Sequence, residues 1–407
     1  MSIFKNIKAF FYLFPALIAF LLPFGNALTS PVIALWFVSG LISARDLFLK
    51  EALKSRWFWI IVAFFILTVL SNFLFYNASD PFNAIEIKLS FLFLPVLFFL
   101  FKMELSIARR VIASFVSGCF MACLFLLGRA FFYLLNGDDS YLYYSKFSFF
   151  MHSAYFAMYL NMAIVFILFF YFKWFEQHPL YKRMAYLMLG IMALCVVLCA
   201  SKIGILTLFF ILPLFLIWEY KNRIHLKTAG MALAALLVLS TSVYLFIPQV
   251  FDRLKSVSVV SKSSIDKTST ESSSVRVLIW GECKELIKDN FISGVGVANA
   301  NNALYKAYET HGLTGAFEKK LNAHNQFYQS FIGMGVLGVI NLLLITVGVL
   351  VYGFREKNVL LSFFAVLITV NFLVESMLQT SAGNVFYVFF LCLLLVFRQK
   401  SLAHDKA

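Results

Sequence analysis

Charged residues are scarce in this chain. Asp, Glu, Lys and Arg make up 13% of its 407 residues, hydrophobic residues make up 62%, and the mean hydropathy is +0.86. Soluble domains carry about a quarter charged residues, so a water-soluble fold is excluded and a polytopic membrane protein is expected. Cysteine offers no framework. Cys119, Cys123, Cys195, Cys199 and Cys392 fall in apolar runs, which leaves Cys283 alone in the one long polar segment with no disulfide partner there. No metal-type Cys spacing and no His-x3-His pair occurs. An Asp-x-Asp motif is also missing, so a metal-independent reaction is expected, and nothing reads as a Walker loop or a Rossmann fingerprint. The net charge of +14 would suit a nucleic-acid partner, but most Lys and Arg lie in short segments between apolar runs, which argues against one.

What the chain does have is long apolar stretches. A bilayer-crossing helix needs about 20 apolar residues. Twelve stretches qualify: 9–25, 28–44, 57–75, 89–101, 111–135, 153–172, 184–200, 203–218, 228–247, 326–352, 359–375 and 382–397. The fourth is short and should extend outward through Ile85 and Ile87. The first resembles a signal peptide, with Ala27 as a weak cleavage position, but the spans that follow favour an uncleaved helix. With the N-terminus inside, the cytoplasmic segments hold 20 Lys and Arg, and the short segments opposite hold three, Lys88, Lys146 and Lys202. That asymmetry puts both termini in the cytoplasm. The expected fold class is an all-α polytopic transmembrane bundle of about 12 spans. Residues 1–247 form spans one to nine, 248–325 a large external loop, and 326–407 the last three spans and a short cytoplasmic tail.

The long loop begins with a Ser- and Thr-rich part, 255–274, that reads as flexible. Ser273 or Ser274 can then cap a helix whose apolar face is Val275, Leu278, Ile279, Leu286 and Ile287. A turn at 291–297 leads to a second helix over 298–309. Such short helices would lie on the outer membrane surface. The loop closes with His324-Asn325, followed by nine residues and then Gly335-x-x-Gly338 inside an apolar run. His324 therefore stands where a polar loop enters a membrane helix. The free N–H groups there carry partial positive charge, which favours a neutral imidazole and attracts anions such as phosphate. Arg276 and Trp280 are four apart and share a helix face, with a guanidinium suited to phosphate and an indole suited to a sugar face. Lys202 occupies a tight external turn. Glu86, Lys88, Arg129, His152 and Glu375 lie at the outer ends of spans, where ionisable residues are site candidates.

The pattern His324-Asn325, nine residues, Gly335-x-x-Gly338 resembles the signature of the bacterial O-antigen ligase family, part of a wider group that includes O-antigen polymerases and protein O-oligosaccharyltransferases. Arg276 matches the family's long-loop arginine for the lipid diphosphate, with Trp280 where the family has leucine. Gly294-Val-Gly296 resembles the Gly-x-Gly that follows that helix. Ser201-Lys202-Ile203-Gly204 stands where the family has a Ser-Arg-x-Gly-like turn, and Lys keeps the charge without the planar fork. The resemblance implies a cofactor-free glycosyltransferase of the bacterial inner membrane with a periplasmic site. Its donor would be a glycan on undecaprenyl diphosphate and its acceptor lipid A–core, or another glycan or a protein hydroxyl. His324 would deprotonate or position the acceptor hydroxyl. Arg276 and Lys202, with Arg129, would meet the diphosphate charge, supported by Asn325, Trp280, Gly294, Gly296, Gly335, Gly338, Glu375, Glu86, Lys88 and His152. A polymerase or a protein O-oligosaccharyltransferase is the alternative within the group. A lipid or polysaccharide transporter is the alternative outside it, disfavoured because the ionisable residues gather at the outer rim and not midway along helices.

Overall fold

A computed structural model describes residues 2–42, 49–74, 80–101, 103–171, 178–219 and 273–397, with a few isolated positions between them. Every regular element among the described residues is helical. Six helices are long and apolar enough to cross a membrane: Arg56–Phe73, Pro81–Leu100, Leu105–Leu135, Ser153–Tyr171, Pro179–Leu198 and Gln326–Arg355. Five shorter apolar helices accompany them: Phe10–Phe24, Ala27–Ile42, Lys202–Leu214, Val359–Phe372 and Ser381–Val396. Together these cover every stretch expected from the sequence except the ninth. That one, 228–247, lies outside the described residues but for isolated positions, as does most of 255–272. The side chains of Ser273 and Ser274, the expected cap, also lie outside them. The extension of the fourth stretch through Ile85 and Ile87 is present. Large apolar side chains such as Leu70, Met121, Phe131, Leu187, Leu214 and Leu337 are exposed along these helices, a surface suited to lipid and not to water.

Two helices form the centre. The helix that starts at Ser153 has 94% of its spanning window buried, and Ser381–Val396 is buried at nearly every position. Aromatic pairs lock them together: Tyr159 stacks on Phe386 at 4.2 Å between ring centroids, and the Tyr159 hydroxyl donates to the Ala382 carbonyl at 2.9 Å. Both begin at the same end of the bundle. His152 is the N-cap of the first and Thr380 of the second, each accepting a backbone N–H. The helix Gln326–Leu343 also begins at that end.

The polar insert is helical throughout its regular described elements. Its helix Ser273–Asp289 packs on Ala300–His311 and builds a small core of its own. Val275, Ile279 and Cys283 meet Leu304, Tyr308, Leu313, Ala316 and Ala323 there, with Ile332 contributed by the helix below. The reason is the insert's apolar content: a face of Val275, Leu278, Ile279 and Cys283 is better covered by another helix than left at an interface.

The insert is fixed to the bundle by a backbone joint at two glycines. Gly335 breaks the helix Gln326–Leu343 with φ +64° and ψ −158°. The break frees the Ile332 carbonyl and the Val336 N–H, which bond Val295 N at 2.8 Å and Phe291 O at 2.9 Å. Gly294, at φ +67°, faces it so closely that a Cβ there would lie 2.5 Å from Ile332 O, and one on Gly335 2.1 Å from Ile292 O. Gly333, Gly335 and Gly338 share the spacing of a dinucleotide-binding turn, but no strand precedes them and they lie within a helix. Their role is packing: a Cβ on Gly338 would meet Met334 Cβ at 2.3 Å across the broken turn. Gly294→Ala and Gly335→Ala should each cost at least about 1–3 kcal/mol from backbone strain alone, read as a lower midpoint of thermal unfolding in detergent. Gly190→Ala, which meets nothing within 4 Å, should leave the midpoint unchanged or raise it.

Candidate active site

The site is built where the segment 322–330 runs beside the connection 373–380. Asn325 caps its helix by accepting from Phe327 N at 2.9 Å and Tyr328 N at 3.1 Å. Its amide also donates to Leu373 O at 3.1 Å, and its own N–H reaches Ser376 Oγ at 3.2 Å. Gln326 Oε1 accepts from Leu378 N at 2.7 Å while its Nε2 donates to Ser330 Oγ at 2.9 Å. Two consecutive side chains thus sew the histidine helix to the segment that carries Glu375. His324 itself adopts φ +45°, a left-handed conformation, held by Asn322 Oδ1, which accepts the His324 N–H at 2.9 Å. That turn throws the imidazole across to the opposite segment.

Glu375 receives it. Its Oε2 lies 3.3 Å from His324 Nδ1, and its Oε1 accepts from the Arg276 guanidinium at 2.8 Å. The carboxylate is nearly buried, at 11% side-chain exposure, whereas Arg276 keeps 29% and His324 22%. Both flanking groups therefore remain reachable from outside and the acid between them does not. Burial pushes the Glu375 carboxyl up. The hydrogen bond and charge of His324, with charge from Arg276 and His152, push it down further, so it stays below the usual carboxylate range. A carboxylate at Nδ1 fixes the ring proton there and leaves Nε2 as the open lone pair. The ring thus faces Glu375 as well as the helix start.

Arg276 and Trp280 share a helix face, and the indole N–H makes a contact that the sequence did not predict. Trp280 Nε1 donates to the Ala323 carbonyl at 3.0 Å, and the ring packs edge-on against Tyr328 at 6.2 Å. The Ala323 N–H in turn donates to Gln329 Oε1 at 3.1 Å. One turn of the insert helix therefore clamps the residue before His324 and, through Arg276, the residue opposite it.

The other candidates fall into separate groups. His152 is exposed and close enough for its charge to act on Glu375. Lys202 opens the helix Lys202–Leu206, capped by Ser201, and Gly204 of that turn lies on the central helix. Asn161 Nδ2 donates to Gly204 O at 2.9 Å, and a Cβ on Gly204 would meet Ala157 Cβ at 2.5 Å. Ala157 and Asn161 lie about 8 and 14 Å along the same helix from His152, so Gly204 of the Lys202 turn packs on the half of that helix nearer His152. Arg129 is engaged elsewhere: it donates to Lys146 O at 2.7 Å and lies over the rings of Tyr133, Tyr141 and Phe149. Glu86 is exposed at the end of the short helix Pro81–Glu86. Lys88 is buried. Gly296, at φ +88°, belongs to the turn that docks the insert.

Sequence reasoning missed Asn322, Gln326 and Ser376, which position the pair. One signal was available: Glu375 is the lone acid between Lys357 and Arg398, and Ser376 stands next to it. Because folding holds the Glu375 carboxyl ionised to lower pH than in the unfolded chain, its stabilising contribution is complete above about pH 4.5 and is lost as pH falls through the depressed value. Unfolding midpoints of the purified protein between pH 7 and pH 3 should fall less steeply for Glu375→Gln than for the natural chain. Parallel curves would contradict this.

No curated protein sequence matches the chain. Residues 187–343 match the O-antigen ligase family. The matched stretch holds the Lys202 turn, Arg276, Trp280, the Gly294–Gly335 joint and His324-Asn325, while Glu375 lies beyond it. With its six long apolar helices, the chain is a multi-pass membrane protein, and over residues 187–343 it matches the O-antigen ligase family, a family of glycosyltransferase type.

Proposed function

We propose that this protein is an O-antigen ligase of the bacterial inner membrane, moving a glycan from undecaprenyl diphosphate to lipid A–core on the periplasmic side. The observation that carries the reading is the shared carboxylate: Glu375 holds the imidazole of His324 on one oxygen and the guanidinium of Arg276 on the other. A histidine oriented through Nδ1 by an acid is the arrangement that makes Nε2 a base for a hydroxyl. A guanidinium beside it, with only one of its five N–H donors given to Glu375, suits a diphosphate.

The reaction follows from those roles. The acceptor hydroxyl gives its proton to His324 Nε2 as its oxygen attacks the anomeric carbon of the donor sugar. The bond from that carbon to the diphosphate breaks, and the developing charge is met by Arg276 and Lys202. A positioned base contributes roughly 10²–10⁴-fold, and preorganised cations at the leaving group at least as much. Three helix N-termini, those starting at Ser153, Gln326 and Ser381, lie at the same end and add positive field. Glu375 keeps the imidazolium that forms from standing unpaired. The polar insert, docked at Gly294 and Gly335, carries Arg276 to this end of the bundle.

Deletion of the gene followed by glycolipid analysis tests the activity. Loss of a ligase leaves polymerised glycan on its carrier lipid and bare core; core bearing a single repeat unit would instead identify a polymerase. His324→Ala, present in membranes at the natural level, should abolish transfer, and unimpaired transfer would remove His324 from the base role. Lys202→Ala should lower transfer while Lys202→Arg retains it. Equal activity in both variants would end the diphosphate role of Lys202. Transfer by the purified protein should be unchanged by chelators.

A further inference from the structure

The polar insert contains one stretch unlike the rest of it. From Asn290 to Tyr305 no residue is charged, and the turn within it opens with Phe291 and Ile292, 52% and 78% exposed. Apolar side chains so open to water are costly. The backbone around them is held by the bundle. Phe291 O accepts from Val336 N at 2.9 Å, Val295 N donates to Ile332 O at 2.8 Å, and Ala298 N donates to Asn72 Oδ1 at 2.9 Å. The Ser293 hydroxyl donates to Gly294 O at 3.2 Å. Irregular backbone bonded to protein in this way is tolerated at membrane depth. The neighbours are apolar too. Phe73 and Leu74, next to Asn72, and Leu337, two residues beyond Gly335, are exposed on either side of the turn.

Two helices measure how high the turn stands. Arg56–Phe73 and Gln326–Arg355 run antiparallel: Arg56 lies over the Tyr352 ring, Asn341 Nδ2 donates to Ile60 O at 3.0 Å, and Thr68 Oγ1 reaches Met334 Sδ at 3.7 Å. Their arginine ends therefore lie together. From that end, at 1.5 Å per residue, Phe73 stands about 26 Å away and Gly335 about 30 Å away. The hydrocarbon core of a bilayer is about 30 Å thick. Both rulers thus end at one level, and it is the level at which Asn72 meets Ala298 and Gly335 meets Ile292. The other end of the insert helix is elsewhere. Arg276 is tied to Glu375 beside His324, while Phe291 is tied to Val336, so Ser273–Asp289 runs alongside the first turns of Gln326–Leu343 with its C-terminal end toward the hydrocarbon. We propose that the turn 291–298 is a lipid-contacting tip: Phe291 and Ile292 enter the acyl chains of the leaflet on the side of the site, beside Phe73, Leu74 and Leu337. The partner is hydrocarbon, because the tip offers no charge to a headgroup. Arg276 lies about 20 Å up the same helix, so lipid contact at one end steadies the guanidinium at the other. The inference does not depend on the activity proposed above.

The test is spin-label accessibility in the full-length protein, reconstituted in phosphatidylcholine vesicles. All six natural cysteines are buried, so a cysteine introduced at an exposed position labels selectively. Ile292→Cys carries the probe. Leu337→Cys, on a lipid-facing helix, is the hydrocarbon reference, and Lys306→Cys, exposed on the second insert helix, is the water reference. The label at position 292 should behave as the one at 337: relaxed by dissolved oxygen, and several-fold less accessible to a water-soluble nickel chelate than the label at 306. Nickel accessibility equal to that at 306 would overturn the proposal. If Ile292→Cys does not fold, the natural chain is photolysed in vesicles whose phosphatidylcholine carries a diazirine in its acyl chain. Adducts should then map to the peptide holding Phe291 and Ile292. Adducts on the peptide holding Leu337 without any at 291–292 would overturn the proposal equally. His324→Ala should leave both readouts unchanged, so a failed transfer mechanism and a failed tip give different results.

Discussion

One buried carboxylate shared by an imidazole and a guanidinium is the interaction on which the site depends. Glu375 stands between Arg276, from the polar insert, and His324, at the mouth of a membrane helix. Left unpaired at that depth the acid would be expensive, and each partner would be free to swing. Joined, the three groups bring a segment 51 residues away and another 99 residues away to one point. The partial exposure of both flanking groups matters as much as the contact, because it leaves a base and a cation facing the space where a substrate must approach.

The arrangement needs rigid support, and the support is mostly backbone. The break at Gly335 exposes a carbonyl and an N–H in the middle of an apolar helix, where unsatisfied groups are not tolerated. The turn 291–295 supplies their partners, and Gly294 lets the two chains touch. The same device therefore closes a gap in a membrane helix and orients the insert that carries Arg276. Trp280, by holding the Ala323 carbonyl, sets the residue before His324 from the same helix face.

Much of this was legible in the residues. The apolar stretches map onto helices because a lipid-facing helix has no composition to choose from but an apolar one. Asn325 was readable as a cap and His324 as the residue at a helix mouth, since both follow from local sequence. Arg276 and Trp280 were readable as one face from their spacing. What was not legible was the pairing across the chain. Glu375 stood out as a lone acid, but nothing local joined it to His324 or Arg276. The Trp280 N–H bond to the Ala323 carbonyl was equally hidden, because it spans 43 residues of chain. Arg129 looked like one more cation for the donor, and of the rings around it Tyr133 is one turn on in its own helix while Tyr141 and Phe149 come from the segment after that helix. The break at Gly335 was likewise invisible, because a glycine in an apolar run reads equally well as close packing.

The tautomer of His324 bears most directly on the central claim. In protein labelled with ¹⁵N-histidine, the account predicts a neutral-pH ring of His324 protonated at Nδ1 with its lone pair on Nε2, and loss of that preference in Glu375→Gln. A ring protonated at Nε2 in the natural chain, indifferent to the residue at 375, would contradict it.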